Sequence, residues 1–158
     1  MELFSLSVTP PYSDKKIMPQ ELATYFVHLL EDQWFGKLVT PTIPGTWYVC
    51  MFTTSPGLAD SGGVEVTGAG YVRLAITNSA AFFAAAANRA KVCSGASFPL
   101  SWFTATGSLG PIVATGLRDA SSGGNLILLN DIPAGSQQSI ANGNNITFNA
   151  ADFSFRID

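Results

Sequence analysis

The chain has 158 residues, enough for one domain with a real core. Hydrophobic residues make up 47% and charged residues 12%, against about 25% charged in an ordinary globular domain. The net charge of −3 and the scattered Lys and Arg residues argue against a nucleic-acid binder, which carries a concentrated basic patch.

Residues 1–17 read as an extended arm. Pro10 and Pro11 leave no helical option, and Thr9 before them is pushed toward extended geometry. Leu3, Phe4, Leu6, Val8 and Tyr12 make the arm more apolar than a disordered tail. It is either a loose terminus or an arm laid on a neighbour. The adjacent Lys15 and Lys16 read as a solvated stretch of it. The start of the chain lacks the basic and apolar segments of a secretory signal, which leads us to expect a protein made in a cytoplasm. Its longest apolar run, Ala80 to Ala87, is too short to span a membrane.

Residues 18–158 read as one domain. A helix is expected over 19–35. Pro19 suits its first turn and Glu21 its positive end. Leu22, Phe26, Leu29 and Leu30 recur at i, i+4, i+7 and i+8, Trp34 extends that face, and Gly36 is placed to end the helix.

Strand formers then take over. Trp47 to Thr53 is a nearly continuous apolar run, so it reads as a strand covered on both faces. Val64 to Val66 is a short segment in a Gly-rich loop, and Tyr71 to Thr77 a second long strand. Ala80 to Lys91 has helix-favouring alanines, yet its place between strands suggests a strand followed by a loop or short helix. Ile112 to Leu117 and Asn125 to Asn130 form a hairpin across Asp119 to Gly124, whose glycines supply positive φ. Ile146 to Phe148 and Phe153 to Ile157 are expected to pair last. The predicted architecture is mainly β: an antiparallel, jelly-roll-like β-sandwich with one amphipathic helix and an extended N-terminal arm.

Chemistry is conspicuous by its thinness. The one histidine, His28, has only Thr24 and Asp32 four residues away, and no Ser-His-Asp or Cys-His arrangement forms without it. The eleven carboxylates show no metal-motif spacing. Gly68-Ala69-Gly70 lacks the third glycine and helix of a dinucleotide site, and Gly57 to Gly63 lacks a phosphate-cradling Gly-Lys-Ser/Thr. Cys50 reads as a buried small hydrophobe, and one Cys50–Cys93 bridge stays open. No catalytic, cofactor-binding or metal residue is expected. Trp34, Trp47, Trp102 and Phe103 could stack on sugars, although such residues more often fill a core or an interface.

Several segments together follow the pattern of one protein family. Tyr48-Val49-Cys50-Met51-Phe52-Thr53-Thr54-Ser55-Pro56 matches its aromatic-Val-x-x-Phe-Thr strand before proline. Glu65-Val66-Thr67-Gly68-Ala69-Gly70-Tyr71-Val72-Arg73 matches its most specific piece, Glu-Val-x-Gly-x-Gly-Tyr-x-Arg. Asp119 to Leu126 matches its Asp-Ala-x-x-Gly-Gly-Asn-Leu hairpin, and Gly143 to Phe153 its closing pair. With these segments the chain resembles a family of small bacteriophage virion proteins, tail-fibre-like in character, over residues 20–158. Leu109-Gly110 replaces a Trp-Gly, two acidic turns are altered, and the first seventeen residues have no counterpart. Arg73 can pair with Glu65 or another carboxylate at a sheet edge, and such a pair, if exposed, is worth only about 0–1 kcal/mol.

The resemblance implies a virion structural protein, not an enzyme. The unmatched arm favours a capsid cement or decoration protein: a trimer assembled in the host cytoplasm, sitting on the capsid surface and bridging subunits of the major capsid protein. The alternative is a tail fibre or tail-associated protein, including a host-glycan adhesin. Neither nucleic acid nor membrane is an expected partner. The expected partner contacts are Pro10, Pro11, Tyr12, Trp102 and Phe103.

Overall fold

A computed structural model of the chain describes residues 21–35, 42–83, 85, 90–92, 98–148 and 154–156. The expected arm, Pro19, Gly36, Cys93, Phe153 and Ile157 lie outside them. In chain order the elements are β1 (Glu21–Leu22), α1 (Thr24–Trp34), β2 (Thr46–Thr54), β3 (Val64–Glu65), β4 (Leu74–Thr77), β5 (Ala90–Val92) and β6 (Leu100–Thr104). There follow β7 (Leu109–Ile112), β8 (Ala114–Arg118), β9 (Leu126–Asp131), β10 (Gln138–Ile140), β11 (Asn145–Phe148) and β12 (Ser154–Arg156). The fold is mainly β, and every strand pairing is antiparallel, as the short strands and turn residues led us to expect.

The main sheet runs β1-β9-β8-β2-β3, with β4 also paired to β2. Three two-stranded ladders, β10-β7, β11-β6 and β12-β5, make up the rest. Strand β2 is the centre. Val49, Cys50, Met51 and Phe52 are all buried, so both of its faces are covered. Alternation along the strand sends them two ways. Val49 packs with Leu74, Ile76, Leu117, Leu128 and Phe148. Met51 packs with Phe103, Ile112, Ile140 and Ile146. The β11-β6 and β10-β7 ladders therefore face this side of the main sheet as a second layer. Cys50 and Phe52 point the other way, onto Ala23, Ala114, Leu126 and Leu129.

The helix differs from expectation. It begins at Thr24, because Glu21 and Leu22 pair with Leu129 and Leu128 at the sheet edge. The Ala23 N–H also goes to the Ile127 carbonyl, at 3.0 Å. Edge pairing satisfies these backbone groups outright, and it overrides the helical spacing of Leu22. Leu22 and Phe26 reach the core, but no helix residue is fully buried, and Trp34 is 79% exposed. The helix hangs from the sheet edge by its first turn, so the apolar face does not continue to Trp34.

Two strand boundaries and one strand pairing also differ from expectation. Residues 71–73 leave the expected Tyr71 to Thr77 strand, which shrinks to β4. Gly68, Ala69 and Gly70 all have positive φ, and the Tyr71 N–H bonds back to the Gly68 carbonyl. The expected Ile112 to Leu117 strand divides at Val113. The Val113 N–H donates to the Phe52 carbonyl, while its own carbonyl accepts from Ile132, so β7 and β8 join different ladders. The expected last pair is not a pair: β11 runs along β6, and β12 along β5. In the ambiguous Ala80 to Lys91 stretch, Phe82 and Phe83 close a turn on the Ser79 carbonyl, and β5 begins at Ala90.

Candidate functional site

The charged groups inside this apolar chain gather in one place. Glu65, on β3, accepts from Arg73 at both carboxylate oxygens: Nε to Oε1 at 2.8 Å and Nη2 to Oε2 at 2.7 Å. Oε1 also accepts the Tyr71 hydroxyl at 3.0 Å. The same hydroxyl oxygen accepts the buried N–H of Met51 at 3.1 Å. Arg73 Nη1 turns to the hairpin after β8 and donates to the carbonyls of Ala120 (2.6 Å) and Gly123 (2.8 Å). Arg118 grips Asp60 with two bonds of 2.8 and 2.6 Å and also donates to the Gly124 carbonyl. Its Nε lies 4.0 Å from Glu65 and makes no hydrogen bond.

Local sequence sets this up. The left-handed turn over Gly68, Ala69 and Gly70 folds the chain back so that Tyr71 and Arg73 stand over Glu65. In the hairpin, the Asp119 carboxylate takes the Asn125 N–H at 2.7 Å and its side-chain amide at 2.8 Å. That clasp tightens the turn and aims the Ala120, Gly123 and Gly124 carbonyls at the two guanidinium groups. Gly124 has a φ of +72°, and a Cβ there would run into Asp119 and Ala120.

Two carboxylates face two guanidiniums, so the cluster is neutral overall. Arg73 takes Glu65, one of the partners the sequence allowed, and the pair is largely covered: the side chains are 9% and 22% exposed. Burial, then the charge of Glu65, pushes the Cys50 thiol up to about 12. Burial also raises Tyr71, aided by Glu65 and opposed by the bond from Met51. Arg73 is raised chiefly by its bonds to Glu65. Burial works against the charge of Arg118, but the bonds and charge of Asp60 outweigh it and raise that group too. The thiol and the phenol therefore stay protonated at neutral pH. What this arrangement does is tie three loops together.

Of the residues singled out from the sequence, Trp102 and Phe103 sit beside this cluster with their rings against Tyr71. Phe103 is 7% exposed, with its ring among Met51, Ile112 and Ile146. Trp102 is half-buried: its Nε1 donates to the Val72 carbonyl at 2.6 Å, and its ring meets Tyr71, Phe103 and Phe148. Little of Phe103 is left for a partner to touch. Pro10, Pro11 and Tyr12 lie outside the described residues. His28 is exposed on α1, and Cys50 is a buried free thiol. Sequence reasoning passed over Asp60 and Arg118. Their signal was a lone cation ending an apolar strand and a lone acid in a Gly-rich loop. Among the described residues, no three His, Cys, Asp or Glu groups are placed to hold a metal, and no helix is long and apolar enough to cross a membrane.

Glu65, Tyr71 and Arg73, together with the hairpin they hold, are the segments that carried the family resemblance. A family model described as Podophage GP4 fiber I protein gp80 matches residues 21–156. The chain belongs to that family. It is thus a phage virion structural protein of tail-fibre-like kind. The gp80 match opens on the first residue of β1 and closes on the last residue of β12, so it takes in both β layers and the polar cluster. No curated protein matches the chain.

Proposed function

We propose that this chain is a building block of a podophage tail fibre, working by shape and contact and without catalysis. The observation that carries this is the gp80 match, whose family is a fibre protein, over residues 21–156. The polar cluster supports it, because its charged and phenolic groups are engaged in holding loops. Sparse charge over the whole chain supports burial against other virion proteins, including further copies of itself in a homo-oligomer such as a trimer. A net charge of −3 speaks against a nucleic-acid partner.

The cement reading, in which the protein bridges major capsid subunits, rests on the arm, and the fibre family weighs against it. Virions lacking the protein separate the two. A fibre component predicts particles that keep their DNA on heating like the parent but adsorb poorly to host cells. Particles that adsorb normally yet lose DNA at lower temperature would overturn the fibre reading in favour of cement. Glycan-array binding by the full chain would assign the adsorption to a host sugar.

A further inference from the structure

The tight turn between β10 and β11 carries a reactive pair of residues, Asn142 and Gly143. Asn142 is exposed, and among the described residues its side chain has no hydrogen-bond partner. Gly143 follows with φ +85°, and the Asn144 N–H closes the turn on the Ala141 carbonyl at 3.2 Å. This is the glycine position of a type II turn. A glycine after asparagine leaves the backbone nitrogen unshielded, so it can reach the neighbouring side-chain amide.

The same nitrogen is held. Gly143 N–H donates to the Ala105 carbonyl at 2.7 Å, and the Ala105 N–H donates to the Asn144 carbonyl at 2.8 Å. Ala105 is 1% exposed and belongs to the core around Met51 and Phe103. The turn is therefore clamped to the interior by two bonds through one buried residue.

We propose that Asn142-Gly143 is a spontaneous modification site whose rate is set by this clamp. The Gly143 nitrogen loses its proton and attacks Asn142 Cγ; a C–N bond forms, and the side-chain nitrogen leaves as ammonia. Water then opens the cyclic imide at either carbonyl, giving aspartate or isoaspartate, with no oxidant or reductant. While the Ala105 bond is closed, the nitrogen keeps its proton and its lone pair is not presented to Cγ. Opening the turn starts the reaction. The isoaspartate product adds a methylene to the backbone between residues 142 and 143, which pulls Gly143 away from Ala105. Modification therefore loosens the start of β11, so the chain carries a chemical record of how often this turn has opened.

The test is peptide mapping for isoaspartate after incubating the full chain at mildly alkaline pH, folded and in urea. The expected result is conversion at residue 142 in urea, and conversion about fivefold slower in the folded chain, the factor that one ordinary hydrogen bond supplies. The isoaspartate form of the folded chain, chromatographically separated from the unconverted and aspartate forms and identified by peptide mapping, should melt about 2–4 °C lower. Asn142→Gln should leave the fold intact and abolish conversion at this site. Equal rates folded and unfolded, no conversion at residue 142 in urea, or unchanged melting of the converted chain would each overturn the proposal.

Discussion

Arg118 and Asp60 are 58 residues apart in sequence and share two hydrogen bonds, at 2.6 and 2.8 Å. The bond pair joins the end of the apolar strand β8 to the Gly-rich loop after β2. The guanidinium also lies 5.7 Å from the centre of the Phe52 ring, beneath which the main sheet is closely packed. One contact thus ties that loop to the face of the main sheet that carries Phe52.

Removing the Asp60 charge should leave Arg118 with the Gly124 carbonyl and the more distant Glu65 carboxylate, 4.0 Å from its Nε, as its remaining partners. Asp60→Asn is the cleanest variant, because Asp60 has a φ of +52° and asparagine tolerates that region. Breaking a fully buried pair costs about 3–5 kcal/mol; Asp60 is exposed and Glu65 stays near Arg118, so this variant should cost about 1–3 kcal/mol. Urea unfolding measures it; a change below about 1 kcal/mol would mean that the pair behaves as a surface pair.

Tyr71→Phe removes the oxygen that accepts the Met51 N–H. Met51 is fully buried, so its amide would be left without that partner. The expected loss is about 1–3 kcal/mol with no change in strand content by circular dichroism.

Gly116→Ala tests the packing under the ring of Phe52. A Cβ at Gly116 would lie 2.9 Å from Leu126 and 3.0 Å from Phe52. Overpacking of this kind costs about 1–3 kcal/mol, and the midpoint in urea should fall accordingly.

Alkaline pH should weaken the fold through Cys50. Its thiol is raised from 9.0 to about 12 in the folded chain, so the native state holds the proton more tightly than the unfolded state. The sign follows: the contribution is complete below 9.0 and is lost as pH rises toward about 12. Mass spectrometry after iodoacetamide treatment should find Cys50 unlabelled in the native chain and labelled once it is unfolded.

The sequence showed most of the sheet and little of the network. Trp47 to Thr53 was readable because a short continuous apolar run rich in aromatic and β-forming residues suits a strand covered on both sides. The hairpin at Asp119 to Gly124 was readable because its glycines mark positive φ. Leu22 misled, since its helical spacing was real but the edge of β9 was free to pair with it. Pairings between distant segments, such as β11 with β6, depend on which ladder each strand joins, and strand periodicity carries no such label. The same limit hid Asp60 and Arg118: each is unremarkable in its own segment, and only the fold brings them together.

A density map of the intact virion tests the central claim most directly. The account predicts this fold, with β1-β9-β8-β2-β3 as its main sheet, in density belonging to the tail fibre. The same fold seated on the outer capsid shell, bridging major capsid subunits and missing from the fibre, would contradict it.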